Sequence, residues 1–200
     1  MHRRVDMTRA AFLDRDGVIN VDRAYVHRWE DFEFVDGALD AMARLADAGF
    51  RLVIITNQSG IARGYFDEAQ YLALTARMRE AFAAHGIGDV AVYHCPHHPS
   101  GSVARFAVAC SCRKPAPGMI LRAAAEHGLS LAGSFLVGDK SSDIAAARAA
   151  GLGRAFVVGS ENEEPAGRLS NADAAFDSLA TCVDALAASN FDLNAFVCST

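Results

Sequence analysis

The sequence predicts an α/β fold, a parallel sheet with helices on both faces, and three observations predict it. Short β-branched or apolar runs alternate with longer segments of helical period, as a parallel sheet with crossover helices requires. The 200 residues, 52% of them apolar and 22% charged, suit one domain with its own core and exclude a disordered or low-complexity chain. Polar and acidic residues directly follow three of the apolar runs, at the sheet edge where open α/β folds bind ligands.

Taken in order, Ala10 to Leu13 reads as the first strand. A helix begins near Asp36, with Leu39, Met42 and Leu45 on one face and Gly49 as a left-handed stop. Arg51 to Thr56 (RLVIIT) is the second strand. Asp67-Glu68-Ala69-Gln70 has the spacing of a capping box and opens a helix that runs to Gly86, with Tyr71, Leu74, Met78 and Phe82 in core positions. Asp89 to His94, Ser134 to Val137 and Arg154 to Val158 give the third, fourth and fifth strands, and Ala174 to Phe176 a short sixth. Met119 to Gly128, Ser142 to Ala150 and Ser178 to Ala188 supply further helices. No internal repeat and no long linker divides the chain, so residues 1–200 are read as a single Rossmann-like domain. An apolar, cysteine-bearing tail covers about 190–200.

One segment departs from the alternation. Cys95 to Pro117 holds four of the five prolines, three cysteines and two histidines without helical period, and a loop of that length is usually functional or pinned by a metal. Cys110 and Cys112 are too close for an easy disulfide, so Cys95-x-His97 and Cys110-x-Cys112 read as three thiolates and an imidazole for tetrahedral Zn²⁺. Spacing alone leaves His94 and His98 as competing ligands. Cys182 reads as a packed core thiol, and Cys198 falls in the tail.

Net charge is −5, with 17 arginines but only two lysines, Lys114 and Lys140. An acidic balance without a basic stripe argues against a nucleic-acid partner. The first ten residues carry no apolar secretory core, and no run approaches the ~20 apolar residues of a membrane span, so no membrane role and a cytoplasmic site are expected.

The candidate chemistry sits at the strand exits. The first strand leads into Asp14-Arg15-Asp16-Gly17, the second into Thr56-Asn57-Gln58-Ser59, and the fourth into Gly138-Asp139-Lys140. Asp14, Asp16, Thr56 and Asp139 therefore converge, and Asp143 is spaced to support Asp139 from the next helix. Gly133 to Ser141 superficially matches a phosphate-binding P-loop. Its Phe135, Leu136 and Val137 read as buried strand, however, and Asp139 would repel phosphate, so Asp139 is read as a Mg²⁺ ligand. Strand alternation turns Arg15 away from both carboxylates and gives it no catalytic role.

Asp14-x-Asp16-Gly17, Thr56-Asn57, Lys114 and Gly138-Asp139, in this order, resemble the four motifs of haloacid-dehalogenase-like phosphatases. The strings FLDRDGVINVD, YVH, TNQSGIARG, CPHHPSGSV, CSCRKPAPGM and VGDKSSD are similar to the branch of that family that hydrolyses heptose bisphosphates. The resemblance implies Asp14 as nucleophile and Asp16 as general acid and base. It implies Mg²⁺ on Asp14, Asp139 and the main-chain carbonyl of Asp16, with Thr56 and Lys114 on the transferring phosphoryl group. It also places the fourth Zn²⁺ ligand at His97. Substrate contacts are implied for Asp22, Arg23, Ala24, Tyr25, Thr56, Asn57, Gln58, Ser59, Arg113, Lys114 and Lys140, with Arg113 offering its fork to a remote phosphate.

The stretches between motifs leave no room for a cap domain, so the loops must choose the substrate, a small sugar phosphate, and the protein is expected to be a monomer. Histidinol-phosphate phosphatase, a related branch with the same carboxylates and zinc loop, is the alternative enzyme. A catalytically dead scaffold whose zinc loop binds a partner is a third reading, opposed by the presence of both Asp14 and Asp16.

Overall fold

In a computed structural model that describes residues 8–159 and 171–188, the apolar runs pair into one sheet. The proposed tail at about 190–200, with Cys198, lies outside the described residues. The strands are β1 (Ala10–Leu13), β2 (Arg51–Asn57), β3 (Ala91–Cys95), β4 (Phe135–Gly138), β5 (Arg154–Val158) and β6 (Ala174–Phe176). All five pairings are parallel, in the order β3-β2-β1-β4-β5-β6. The chain walks outward from β1 through β2 to β3, then returns to the other side of β1 for β4. The β1–β4 crevice is therefore the point where the strand order reverses and ligands bind in such sheets.

Alternation along each strand divides the core in two. Ala11, Leu13, Leu52, Ile54, Phe135 and Val137 face one layer, formed by α1 (Ala38–Asp47), α6 (Leu179–Ala188) and the Met78 and Phe82 side of α3 (Glu68–Ala84). Ala10, Phe12, Val53, Ile55 and Leu136 face the other, formed by α4 (Gly118–His127) and α5 (Ser141–Ala150). Both faces of the central strands are buried, which is why they read as unbroken apolar runs. Each large side chain buried there contributes about 1.5–3 kcal/mol.

The expected capping box forms: the Asp67 carboxylate accepts from Gln70 N, and Gln70 Oε1 accepts from Asp67 N. One helix goes beyond the sequence reading. The polar turn after β2 is a short helix, α2 (Ser59–Arg63), because Ile61 and Ala62 find apolar cover from Phe66, Tyr71 and Phe106. Among the described residues, β1 and β2 are joined only by a loop, a 3₁₀ turn at Trp29–Asp31 and α1, so that connection holds no separate cap domain.

Candidate active site

Register sets the site. Leu13 is level with Ile54 of β2 and Val137 of β4, so Asp14, Thr56 and Asp139 all emerge at one edge of the sheet. Asp14 N donates to Val137 O at 3.0 Å, which extends the ladder by one residue into the site. The chain then turns sharply, with Ile19 N and Asn20 N both donating to Arg15 O. Gly17 allows the turn at φ +85°, and a Cβ there would lie 2.3 Å from Asp139 Oδ2. Gly138 has a similar duty, since its Cβ would lie 2.3 Å from the Cβ of Asp143.

These approaches bring carboxylate oxygens of Asp14, Asp139 and Asp143 within 4.8 Å of one another. Among the described residues Asp139 Oδ1 is buried without a hydrogen-bond partner, and every donor in the set is oxygen, which fits a hard divalent cation such as Mg²⁺. Burial raises the Asp14 carboxyl well above its ordinary range, with Asp143 and Asp139 adding to the effect and Lys114 opposing it. Burial also raises Asp139, against the pull of Lys140. Asp14 and Asp139 are thus costly to ionise together without a cation.

Lys114 supplies one positive charge. Its Nζ lies 2.9 Å from Asp14 Oδ1 and 2.5 Å from Asp143 Oδ1, and donates to Ile55 O at 2.9 Å. Burial would lower its pKa, but Asp14 and Asp143 outweigh that and raise it, so the ammonium form is held. The amide of Asn57 clasps its main chain: Nδ2 donates to Lys114 O and Oδ1 accepts from Lys114 N, both at 3.0 Å. Asn57 lines the pocket, but its amide is committed to placing Lys114.

Asp16 has its own shell. Its Oδ1 accepts from Arg15 Nη2 at 2.9 Å and Asn20 Nδ2 at 3.0 Å, and its Oδ2 from Gln58 Nε2 at 3.0 Å. Gln58 Nε2 also donates to Thr56 Oγ1 at 2.8 Å. The expectation that Arg15 points away from both carboxylates is overturned. Strand geometry ends at Leu13, so alternation no longer governs position 15, and the buried guanidinium folds onto Asp16.

A pocket of about 380 Å³ opens here, and among the residues lining it are Asp14, Asp16, Thr56, Gln58, Arg113 and Lys114. Asp22, Ala24, Tyr25, Ser59 and Lys140 complete most of the expected substrate set. Asp22 Oδ1 accepts from Ala24 N at 2.9 Å, and Ala24 and Tyr25 both take left-handed backbone, φ +54° and +58°. Lys140 Nζ bridges Asp22 Oδ2 at 3.1 Å and Asp139 Oδ2 at 3.0 Å. Arg23 is the exception: it does not line the pocket, and its guanidinium pairs with Glu33 on the exposed side of the loop.

On the long loop after β3, Cys95 Sγ, His97 Nδ1, Cys110 Sγ and Cys112 Sγ form a second cluster. The sulfurs are 3.1–3.5 Å apart, and His97 Nδ1 lies 3.4 Å from Cys112 Sγ and 3.7 Å from Cys95 Sγ. Cys95, Cys110 and Cys112 are free thiols, and burial pushes the Cys95 thiol up. Three sulfurs and one ring nitrogen so arranged suit tetrahedral Zn²⁺. The other histidines are engaged elsewhere, His94 against the Tyr71 ring and His98 with Ser100 N and Arg63.

Sequence reasoning left Asp143 out of the metal set because a carboxylate in a first helical turn ordinarily caps. Here it does cap, accepting from Lys140 N at 3.1 Å, while its other oxygen faces Lys114. Asn20 had no signal beyond its place in the turn.

Comparison with known proteins agrees with this geometry. The HAD-hydrolase-like family model matches residues 111–182. A D-glycero-beta-D-manno-heptose-1,7-bisphosphate 7-phosphatase of Yersinia pestis is 48% identical over 179 residues, covering 90% of this chain and 95% of that protein. Its counterpart from Escherichia coli K12 is 52% identical over 149 residues, covering 74% and 78%. Among solved structures, D,D-heptose 1,7-bisphosphate phosphatase from B. bronchiseptica, complexed with magnesium and phosphate, matches with a TM-score of 0.75 at 34% identity, covering 90% and 99%. The fold and the site define a haloacid-dehalogenase-like phosphatase. Within that class, the chain belongs to the D-glycero-beta-D-manno-heptose-1,7-bisphosphate 7-phosphatase family.

Proposed function

We propose that this protein is a Mg²⁺-dependent phosphatase that removes the 7-phosphate from D-glycero-D-manno-heptose 1,7-bisphosphate and leaves the 1-phosphate in place. The observation that carries the reading is the pairing of Asp14 and Asp16 at one pocket, with Lys114 on Asp14 and an oxygen-only acidic cluster behind it.

Asp14 attacks phosphorus, and the bond from phosphorus to the sugar oxygen breaks as the aspartyl-phosphate forms. Asp16 gives its proton to the departing alkoxide. Water then attacks the aspartyl-phosphate and passes a proton to Asp16, and the bond between Asp14 and phosphorus breaks to release phosphate. Asp14, Asp139, Asp143 and the main-chain carbonyl of Asp16 would hold Mg²⁺, which when bound supplies positive charge between the nucleophile and the phosphate dianion. Lys114 neutralises the equatorial oxygens and the Thr56 hydroxyl donates to them, where most of the catalysis of this reaction type resides. Arg113 at the pocket wall takes the second phosphate.

Zn²⁺ on Cys95, His97, Cys110 and Cys112 is structural in this reading, since all four positions are filled by protein ligands. One chain completes the pocket, which suits a monomer, and thiols close together without disulfides suit the reducing cytoplasm. The histidinol-phosphate alternative loses ground because both relatives described above are named for the heptose substrate. Phosphate release with Mg²⁺ from heptose 1,7-bisphosphate and from histidinol phosphate tests the proposal. A large preference in kcat/KM for the bisphosphate, with heptose 1-phosphate as product, is expected; preference for histidinol phosphate would overturn it.

A further inference from the structure

Arg15 is 1% exposed, does not line the pocket, and cannot touch a substrate there. Its Nη2 donates to both oxygens of Asp16, at 2.9 and 3.0 Å, and Nε reaches Oδ1 at 3.2 Å. Nη2 also donates to Val26 O at 2.9 Å, which ties the guanidinium to the far side of the loop. Nη1 is buried without a hydrogen-bond partner among the described residues.

A buried arginine with one nitrogen unsatisfied is a poor device for stability, because an apolar side chain of similar volume would fill the space without that cost. What the pair does supply is orientation. Asp16 Oδ1 accepts from Arg15 and Asn20, while Oδ2 accepts from Arg15 and from Gln58, which does line the pocket. A planar fork on a carboxylate removes the rotation that a lysine or an amide would leave.

We infer that Arg15 is a positioning residue for the reaction: it holds the Asp16 carboxylate with Oδ2 toward the pocket, so that one oxygen serves both proton transfers. This rests on Asp16 being the acid and base proposed above, and displacing such a group by about 1 Å costs roughly 10²-fold in rate.

The test uses p-nitrophenyl phosphate, whose leaving group departs without a proton, so that only the second step needs Asp16. In Arg15→Met, stopped flow should show a burst of about one nitrophenolate per enzyme, followed by turnover roughly 10²-fold slower than wild type. With an alkyl phosphate the first turnover itself should slow by a similar factor, and Arg15→Lys should recover part of the loss. Asp16→Asn is the reference. If it shows no burst, the acid–base assignment of Asp16 fails. If it bursts while Arg15→Met turns over like wild type, or loses both phases by one common factor, the role given to Arg15 is overturned. Should Arg15→Met not fold, Arg15→Lys and Arg15→Gln carry the same comparison, and absence of a burst in both overturns it.

Discussion

The two clusters of this chain that could hold a metal ion are built on opposite plans. The acidic cluster takes its ligands from Asp14 after β1, Asp139 after β4 and Asp143 in the first turn of α5, so sheet register and the close approaches that Gly17 and Gly138 allow bring them together. The sulfur cluster takes Cys95 from the end of β3 and the rest from a loop with no regular scaffold. Oxygen donors favour a hard cation and leave room for water and substrate, whereas three sulfurs and a nitrogen close around a softer one. The first cluster is ordered by the fold, and in the function proposed above it would serve the reaction while the second, with Zn²⁺, would order a segment that the fold does not. Lys114 joins them, two residues beyond Cys112 and in contact with Asp14.

Substitutions can break or sharpen that division. Asp14→Asn removes the nucleophile and a metal oxygen together, and should lower kcat by about 10⁴-fold or more, with no phosphoenzyme trapped on acid quench. Lys114→Arg keeps the charge, but a wide fork cannot occupy a space 2.9 Å from Asp14 and 2.5 Å from Asp143 as an ammonium does. Steady-state assays should show a loss of roughly 10²-fold; an unchanged kcat would separate the loop from the chemistry. Arg113→Ala should raise KM for the bisphosphate by about tenfold, near 1.4 kcal/mol, and change that for a small monophosphate ester much less. Equal losses on both would remove Arg113 from substrate choice. Lys140→Arg alters a half-exposed bridge between Asp22 and Asp139 and should change kcat/KM only about threefold.

Much of this was legible in the sequence because it lies on regular elements. Six strands and the capped helix after Asp67 announced themselves through period and capping chemistry, and Asp14, Thr56 and Asp139 followed from being strand exits. What escaped depends on where the chain stops being regular. Arg15 was misread because alternation was carried one turn too far, past Leu13. Asp143 was undervalued because a helix-capping aspartate and a metal-facing one look alike in sequence, and only Gly138 without a side chain lets it approach β4. Arg23 was swept in with its neighbours, although the left-handed step at Ala24 and Tyr25 leaves it facing Glu33. The two lysines, conspicuous beside 17 arginines, both stand among carboxylates, where a compact ammonium fits.

The most direct test of the division of labour measures zinc content and Mg²⁺-supported turnover on the same sample of Cys112→Ser. Bound zinc should be lost and kcat should fall by roughly 10²-fold as Lys114 is released from its place, while the Mg²⁺ dependence of the remaining activity stays nearly unchanged. Loss of zinc with full turnover would contradict that division.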